Sequence, residues 1–106
     1  MVDFITSEED IRAVLRYPYS NVISDAVYPS GGTPHPRLYA AFPKVLIDYV
    51  RREPVLTLEQ AVHKMTARPA SVLGLRGKGL LRKGYDADIN VFELGRLAAD
   101  ASYENP

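Results

Sequence analysis

Asn21-Val22-Ile23-Ser24-Asp25 is short, β-branched and unalternated, the pattern of a strand buried on both faces that delivers Asp25 at its C-terminal tip. Directly after it, Pro29, Gly31, Gly32, Pro34 and Pro36 make residues 28–36 an irregular loop, because these residues fix or free φ in ways that regular elements do not use. A carboxylate at the end of a buried strand, before such a loop, stands where α/β and barrel enzymes place acid/base groups. The competing reading is an Asx turn that closes the strand, and residue pattern alone favours the turn.

Outward from this stretch the chain reads as helical. Upstream, Thr6 and Ser7 stand three residues before Glu9 and Asp10, a capping-box pattern that predicts a helix over 7–16 with Ile11, Val14 and Leu15 inward, ended by Pro18. Downstream, Ala41, Phe42, Val45, Leu46, Tyr49 and Val50 recur at helical spacing. Pro43 predicts a break there, with the main helix over 43–52. Thr57 predicts a cap for a third helix over 58–66, with Glu59 or Gln60 reaching back, and Pro69 predicts a short fourth helix ending at Gly74. Beyond turns at Gly77, Gly79 and Gly84, Asp86-Ala87-Asp88-Ile89-Asn90-Val91 alternates polar and apolar. This predicts a half-buried strand with Ala87, Ile89 and Val91 inward, in a hairpin with 79–81. Residues 95–106 read as a loosely ordered arm. The expected fold class is α+β: mostly helical, with three to four helices, one short buried strand and a C-terminal strand or hairpin, in one folding unit.

Length and composition bound the function. The chain has 106 residues, 46% of them hydrophobic, enough for one modest core and too few for a complete barrel of about 250 residues. Thirteen Lys plus Arg balance thirteen Asp plus Glu, so no nucleic acid and no anionic membrane is expected as a partner. The absence of cysteine removes disulfides, thiolate nucleophiles and Cys-based zinc sites, and it fits a cytoplasmic location. No apolar run approaches the roughly 20 residues of a membrane helix, and no export signal is visible after Met1.

Pro34-His35-Pro36-Arg37 is a rigid segment that would present an imidazole and a guanidinium together to an anionic ligand. The alternative is a surface-loop histidine. His63 falls mid-helix between Val62 and Met65 and reads as structural. Gly77-Lys78-Gly79 lacks the strand and spacing of a phosphate loop and reads as a turn.

The segments combine into a resemblance. Met65-Thr66-Ala67-Arg68-Pro69-Ala70-Ser71-Val72-Leu73-Gly74-Leu75, followed by Gly79-Leu80-Leu81-Arg82-Lys83-Gly84-Tyr85-Asp86-Ala87-Asp88-Ile89-Asn90-Val91-Phe92, resembles the C-terminal signature of the amidohydrolase superfamily. Ser24-Asp25, Pro34-His35-Pro36-Arg37-Leu38-Tyr39, Phe42-Pro43-Lys44-Val45-Leu46 and Tyr103-Glu104-Asn105-Pro106 narrow it to the N-acyl-D-amino-acid deacylases, the D-aminoacylase group. The resemblance implies a C-terminal fragment of a zinc-dependent TIM-barrel metallohydrolase. Residues 1–76 would carry the last barrel strand and the helices after it, and residues 77–106 a strand returning to a small β-sandwich domain plus the C-terminal arm.

The resemblance also implies roles. Asp25 would be the general acid/base, activating a zinc-bound water and protonating the leaving amine, and a metal ligand only if the upstream ligands are supplied. Arg37, with His35 beside it, would bind the α-carboxylate of an N-acyl-amino-acid substrate. Against the family pattern, the chain has no His-x-His pair and no Cys, and Ala26 stands where a glycine commonly follows the aspartate. Most zinc ligands are therefore missing, and the chain is expected to be inactive alone, associating with the missing upstream part. The alternative is a small non-catalytic module derived from that enzyme, which forms a homo-oligomer through unpaired strand edges.

Overall fold

The computed structural model of the chain describes residues 6–28 and 30–106. Helix α1, Glu8–Arg16, starts at the predicted capping box: the Asp10 amide donates to Ser7 Oγ at 3.1 Å and the Ser7 amide donates to the Asp10 carboxylate at 3.4 Å. Leu15 is buried and Ile11 half-buried, whereas Val14, expected inward, is exposed. Helix α2 spans Arg37–Leu46 and passes into a π-helical stretch, Ile47–Arg52. The break predicted at Pro43 is displaced: the helix carries the proline, and its hydrogen bonding widens one turn later. There the Glu53 amide donates to the Asp48 carbonyl at 2.8 Å, a five-residue step. The stretch holds Ile47 and Tyr49 in the interior.

Helix α3, Leu58–Met65, begins with the Thr57 capping box, in which Gln60 is the residue that reaches back. Helix α4, Ala67–Val72, starts before Pro69, which falls in the first turn where its missing N–H leaves no bond unmade. It ends at Gly74 with φ of 66°; the Leu75 amide donates to the Ala70 carbonyl and the Gly74 amide to that of Ser71, a Schellman closure. Leu15, Val22, Leu46, Tyr49, Leu56 and Ala61 form the core, with Ile11, Val45, Leu94 and Leu97 packed around it.

The α+β expectation is overturned: the described residues contain helices and turns and no strand. A strand needs a neighbour to complete its ladder, and neither candidate has one. In residues 21–25 the Val22 amide donates to the Lys64 carbonyl at 3.0 Å, and Val22 is buried while Ile23 is 68% exposed. The segment is thus covered on one side only. In residues 86–91 the alternation is present but serves another contact. Asp86 and Asp88 converge on Lys78 Nζ at 2.8 and 2.7 Å, the Asp86 amide donates to the Gly77 carbonyl, and Ile89 and Val91 face solvent. The hairpin with 79–81, the barrel strand and the β-sandwich strand are accordingly not formed.

Residues 95–106 are better anchored than a loose arm. A 3-10 turn, Leu94–Arg96, is held by Arg51 Nη1, which donates to the carbonyls of Leu94, Gly95 and Leu97 at 3.0, 3.2 and 2.8 Å. Among the described residues no helix is long and apolar enough to cross a membrane.

The chain leaves much apolar surface uncovered. Its accessible surface is 8220 Å², whereas a compact monomer of 11.8 kDa exposes about 5,900 Å². Ile23, Val27, Tyr28, Leu73, Leu81 and Val91 are among the exposed large side chains.

Candidate functional site

Asp25 is the single non-glycine residue with positive φ among the described residues, at 47°. Left-handed backbone is several-fold enriched in Asp because its short polar side chain suits such turns. The Ala26 amide donates to Ser24 Oγ at 3.4 Å, so the turn is closed by Ser24 rather than by the aspartate. The Asp25 carboxylate is left free to point outward. Ala26 itself needs no positive φ, because the residue before it makes the left-handed step.

Lys64 and Arg68 fix the chain that leads into this turn. Lys64, on α3, is 6% exposed, and its Nζ donates to the Tyr17 carbonyl at 2.6 Å, the Ser20 carbonyl at 3.3 Å and Ser20 Oγ at 2.8 Å. Its ammonium is satisfied by neutral oxygens, so burial, and secondarily the charge of Arg68, push its pKa below the usual lysine range. Arg68 donates to the Tyr19 carbonyl and lies over the Tyr19 ring at 5.2 Å. Together with the backbone bond from Val22 to Lys64, these contacts hold residues 17–22 against α3 and α4. Sequence reasoning gave neither cation a role; their partners lie more than forty residues away.

Across the loop, Arg37 opens α2 and its Nη1 lies 3.3 Å from the Asp25 carboxylate. His35 sits two residues before it, and His35 Nδ1 accepts the Arg37 main-chain N–H at 3.0 Å. The other ring nitrogen, Nε2, faces Tyr103 Oη at 3.2 Å. Asp25, His35 and Arg37, the three residues singled out in the sequence, thus form one chain of contacts, to which the C-terminal arm adds Tyr103. His63 is elsewhere. It is exposed and lines a cleft of about 270 Å³ with Arg16, Gln60 and Lys64.

Zinc chemistry asks for several converging donors. Among the described residues no three His, Cys, Asp or Glu side chains come together, and the partner of Asp25 is a guanidinium rather than an imidazole. The donors among the described residues do not fit a metal centre.

Residues 21–105 match the family described as "Amidohydrolase family". Over 103 residues, 97% of this chain, it is 40% identical to a D-aminoacylase and 41% identical to an N-acyl-D-glutamate deacylase, both from Alcaligenes xylosoxydans xylosoxydans. In each case the match covers 21% of the relative. The fold matches the crystal structure of N-acyl-D-glutamate deacylase from Bordetella bronchiseptica, complexed with zinc and a phosphonate inhibitor that mimics the tetrahedral intermediate. The TM-score is 0.87 at 39% identity, covering 94% of this chain and 21% of that one. The chain thus spans about a fifth of the length of the relatives it matches.

Proposed function

This chain belongs to the amidohydrolase family, and on that footing we propose that it contributes the proton-transfer carboxylate and the carboxylate clamp of an N-acyl-D-amino-acid deacylase. The observation that carries the reading is the Asp25–Arg37 pair. It joins an acid/base group on a left-handed turn to a guanidinium 3.3 Å away, both open to solvent. Hydrolysis of the substrate amide forms a C–O bond to water and breaks the C–N bond, and the departing nitrogen must gain a proton. Asp25 takes the proton from the attacking water and returns it to that nitrogen. Arg37, with His35 at its edge, pairs with the α-carboxylate, for which its planar fork is suited.

The remaining chemistry comes from outside this chain. Zinc is present in the Bordetella enzyme's crystal structure; among the described residues no three His, Cys, Asp or Glu side chains come together, and Asp25 would act as a metal ligand only beside donors outside these 106 residues. These 106 residues alone are therefore inactive and work together with the part of the enzyme fold that they do not contain. The many exposed large apolar side chains, Ile23, Val27, Tyr28, Leu73, Leu81 and Val91 among them, support such an association.

The test is complementation. The chain is mixed with the part of the Bordetella enzyme that it does not match, with zinc, and release of glutamate from N-acetyl-D-glutamate is followed. Turnover is expected from the mixture, none from either part alone, and none from a mixture made with Asp25→Ala. Turnover by the isolated chain, abolished by Asp25→Ala, would overturn the claim that it needs a partner. An inert mixture in which the chain sediments as a stable homo-oligomer would support instead the non-catalytic oligomerising module, which the same uncovered surface favours.

A further inference from the structure

We propose that Tyr103 is a positioning residue for the carboxylate clamp, acting through His35 on Arg37; this rests on the reading of Arg37 as the group that binds the substrate carboxylate. Tyr103 is displayed by a tight turn. The Ser102 amide donates to the Asn105 carbonyl at 2.9 Å, and Ser102 Oγ accepts from the amides of Glu104 and Asn105 at 3.2 and 3.0 Å. With its backbone fixed in this way, the tyrosine side chain meets His35 in two modes at once. The rings stand edge to face, with centroids 5.1 Å apart and planes at 81°, and Tyr103 Oη lies 3.2 Å from His35 Nε2.

The hydrogen-bond pattern assigns the tautomer. His35 Nδ1 accepts the Arg37 N–H, so in the neutral ring the proton sits on Nε2 and is donated to Tyr103 Oη. Both ring nitrogens are then engaged, and the imidazole bridges the C-terminal arm and the first residue of α2. Flanking Pro34 and Pro36 restrict the backbone on either side of the ring. The orientation of His35 therefore passes to Arg37 with little slack. Arg37 is the residue whose guanidinium reaches Asp25, so the arm, through one imidazole, sets where the clamp points. A side chain displaced by a fraction of an ångström loses the bidentate geometry that makes an arginine selective for a carboxylate.

A double-mutant cycle on the full chain tests this, with N-acetyl-D-glutamate as the probe and binding read from the Arg37 guanidinium Nε resonance in ¹⁵N NMR. Tyr103→Phe keeps the ring contact and removes the hydroxyl. It is expected to weaken binding about three- to tenfold, the size of one lost hydrogen bond, with the thermal midpoint unchanged. His35→Ala weakens binding by a similar factor, and adding Tyr103→Phe to it has no further effect, because the path is already cut. Independent, multiplying effects, or unchanged Arg37 resonances in Tyr103→Phe, overturn the proposal. If the wild-type chain binds no probe, the carboxylate-clamp reading fails by itself. The Arg37 main-chain amide still decides the positioning role: it shifts in Tyr103→Phe if Tyr103 acts through His35 and stays in place if it does not.

Discussion

Arg37 and Asp25 meet across the 28–36 loop, with the guanidinium 3.3 Å from the carboxylate and the two side chains 43% and 74% exposed. A solvent-screened ion pair contributes only about 0–1 kcal/mol to stability, so the fold does not depend on this contact and Arg37 is available for the recognition role proposed above.

Arg37→Met is accordingly expected to shift the urea unfolding free energy by less than about 1 kcal/mol while abolishing measurable binding of N-acetyl-D-glutamate. Arg37→Lys, which keeps the charge and loses the fork, should retain weak binding. Titration by NMR beside a denaturation curve separates the two effects. A large loss of stability with binding intact would show that Arg37 is a structural residue.

Lys64→Met tests the clamp beneath Asp25. Methionine fills much the same volume but leaves the Tyr17 carbonyl and both Ser20 oxygens without the ammonium that now bridges them. The expected cost is about 1–3 kcal/mol in urea unfolding. Amide exchange should accelerate most at Val22, whose N–H donates to the Lys64 carbonyl. Unchanged exchange at Val22 would mean that residues 17–22 are held by the core alone.

What was legible in the sequence and what was not divides by the range of the interaction. Ser7 with Asp10 and Thr57 with Gln60 act within four residues, and both caps formed where the pattern put them. The apolar stripes located Leu15, Leu46 and Tyr49 in the core. Residues 21–25 and 86–91 carry strand-like patterns, but a strand is a property of two segments, and among the described residues neither has a partner. Asp25, His35 and Arg37 stand out chiefly through the family resemblance, since residue pattern alone favours an Asx turn and leaves open a surface-loop histidine. Lys64, Arg68 and Tyr103 look ordinary in sequence, and their importance lies in partners far along the chain.

Gly79 turns the chain against the α3–α4 junction, and it does so where no side chain fits. Its φ is +83°, and a Cβ there would lie 2.8 Å from the Thr66 carbonyl oxygen and 2.9 Å from Ala67 Cα, both backbone atoms that cannot swing away. Gly79→Ala combines left-handed strain with overpacking and should cost about 2–4 kcal/mol. Gly74→Ala is the control: its φ is +66° with open space around the would-be Cβ, so only the backbone strain of about 1–2 kcal/mol applies. Equal losses in the two variants, read from urea midpoints at constant slope, would show that the contact with Thr66 and Ala67 carries no energy.

Tyr49 gives the fold an alkaline limit. Burial first, then its hydrogen bond to the Glu8 carboxylate at 3.0 Å, push its phenol from the ordinary 10 up to about 12. Between those values the folded chain keeps a proton that the unfolded chain releases. The stability this supplies is complete below pH 10 and is lost as pH rises through 12. Lys64 has the opposite sign: its pKa is lower in the folded chain than its ordinary 10.5, so its contribution grows with pH up to that value. Subtracting one variant from another isolates the tyrosine. Tyr49→Phe should cost about 0.5–1.5 kcal/mol at neutral pH, where the bond to Glu8 is lost, and should flatten the decline between pH 10 and 12. Urea midpoints measured across that interval for both proteins check it. Parallel curves would mean that the Tyr49 hydroxyl titrates alike in the folded and unfolded chains.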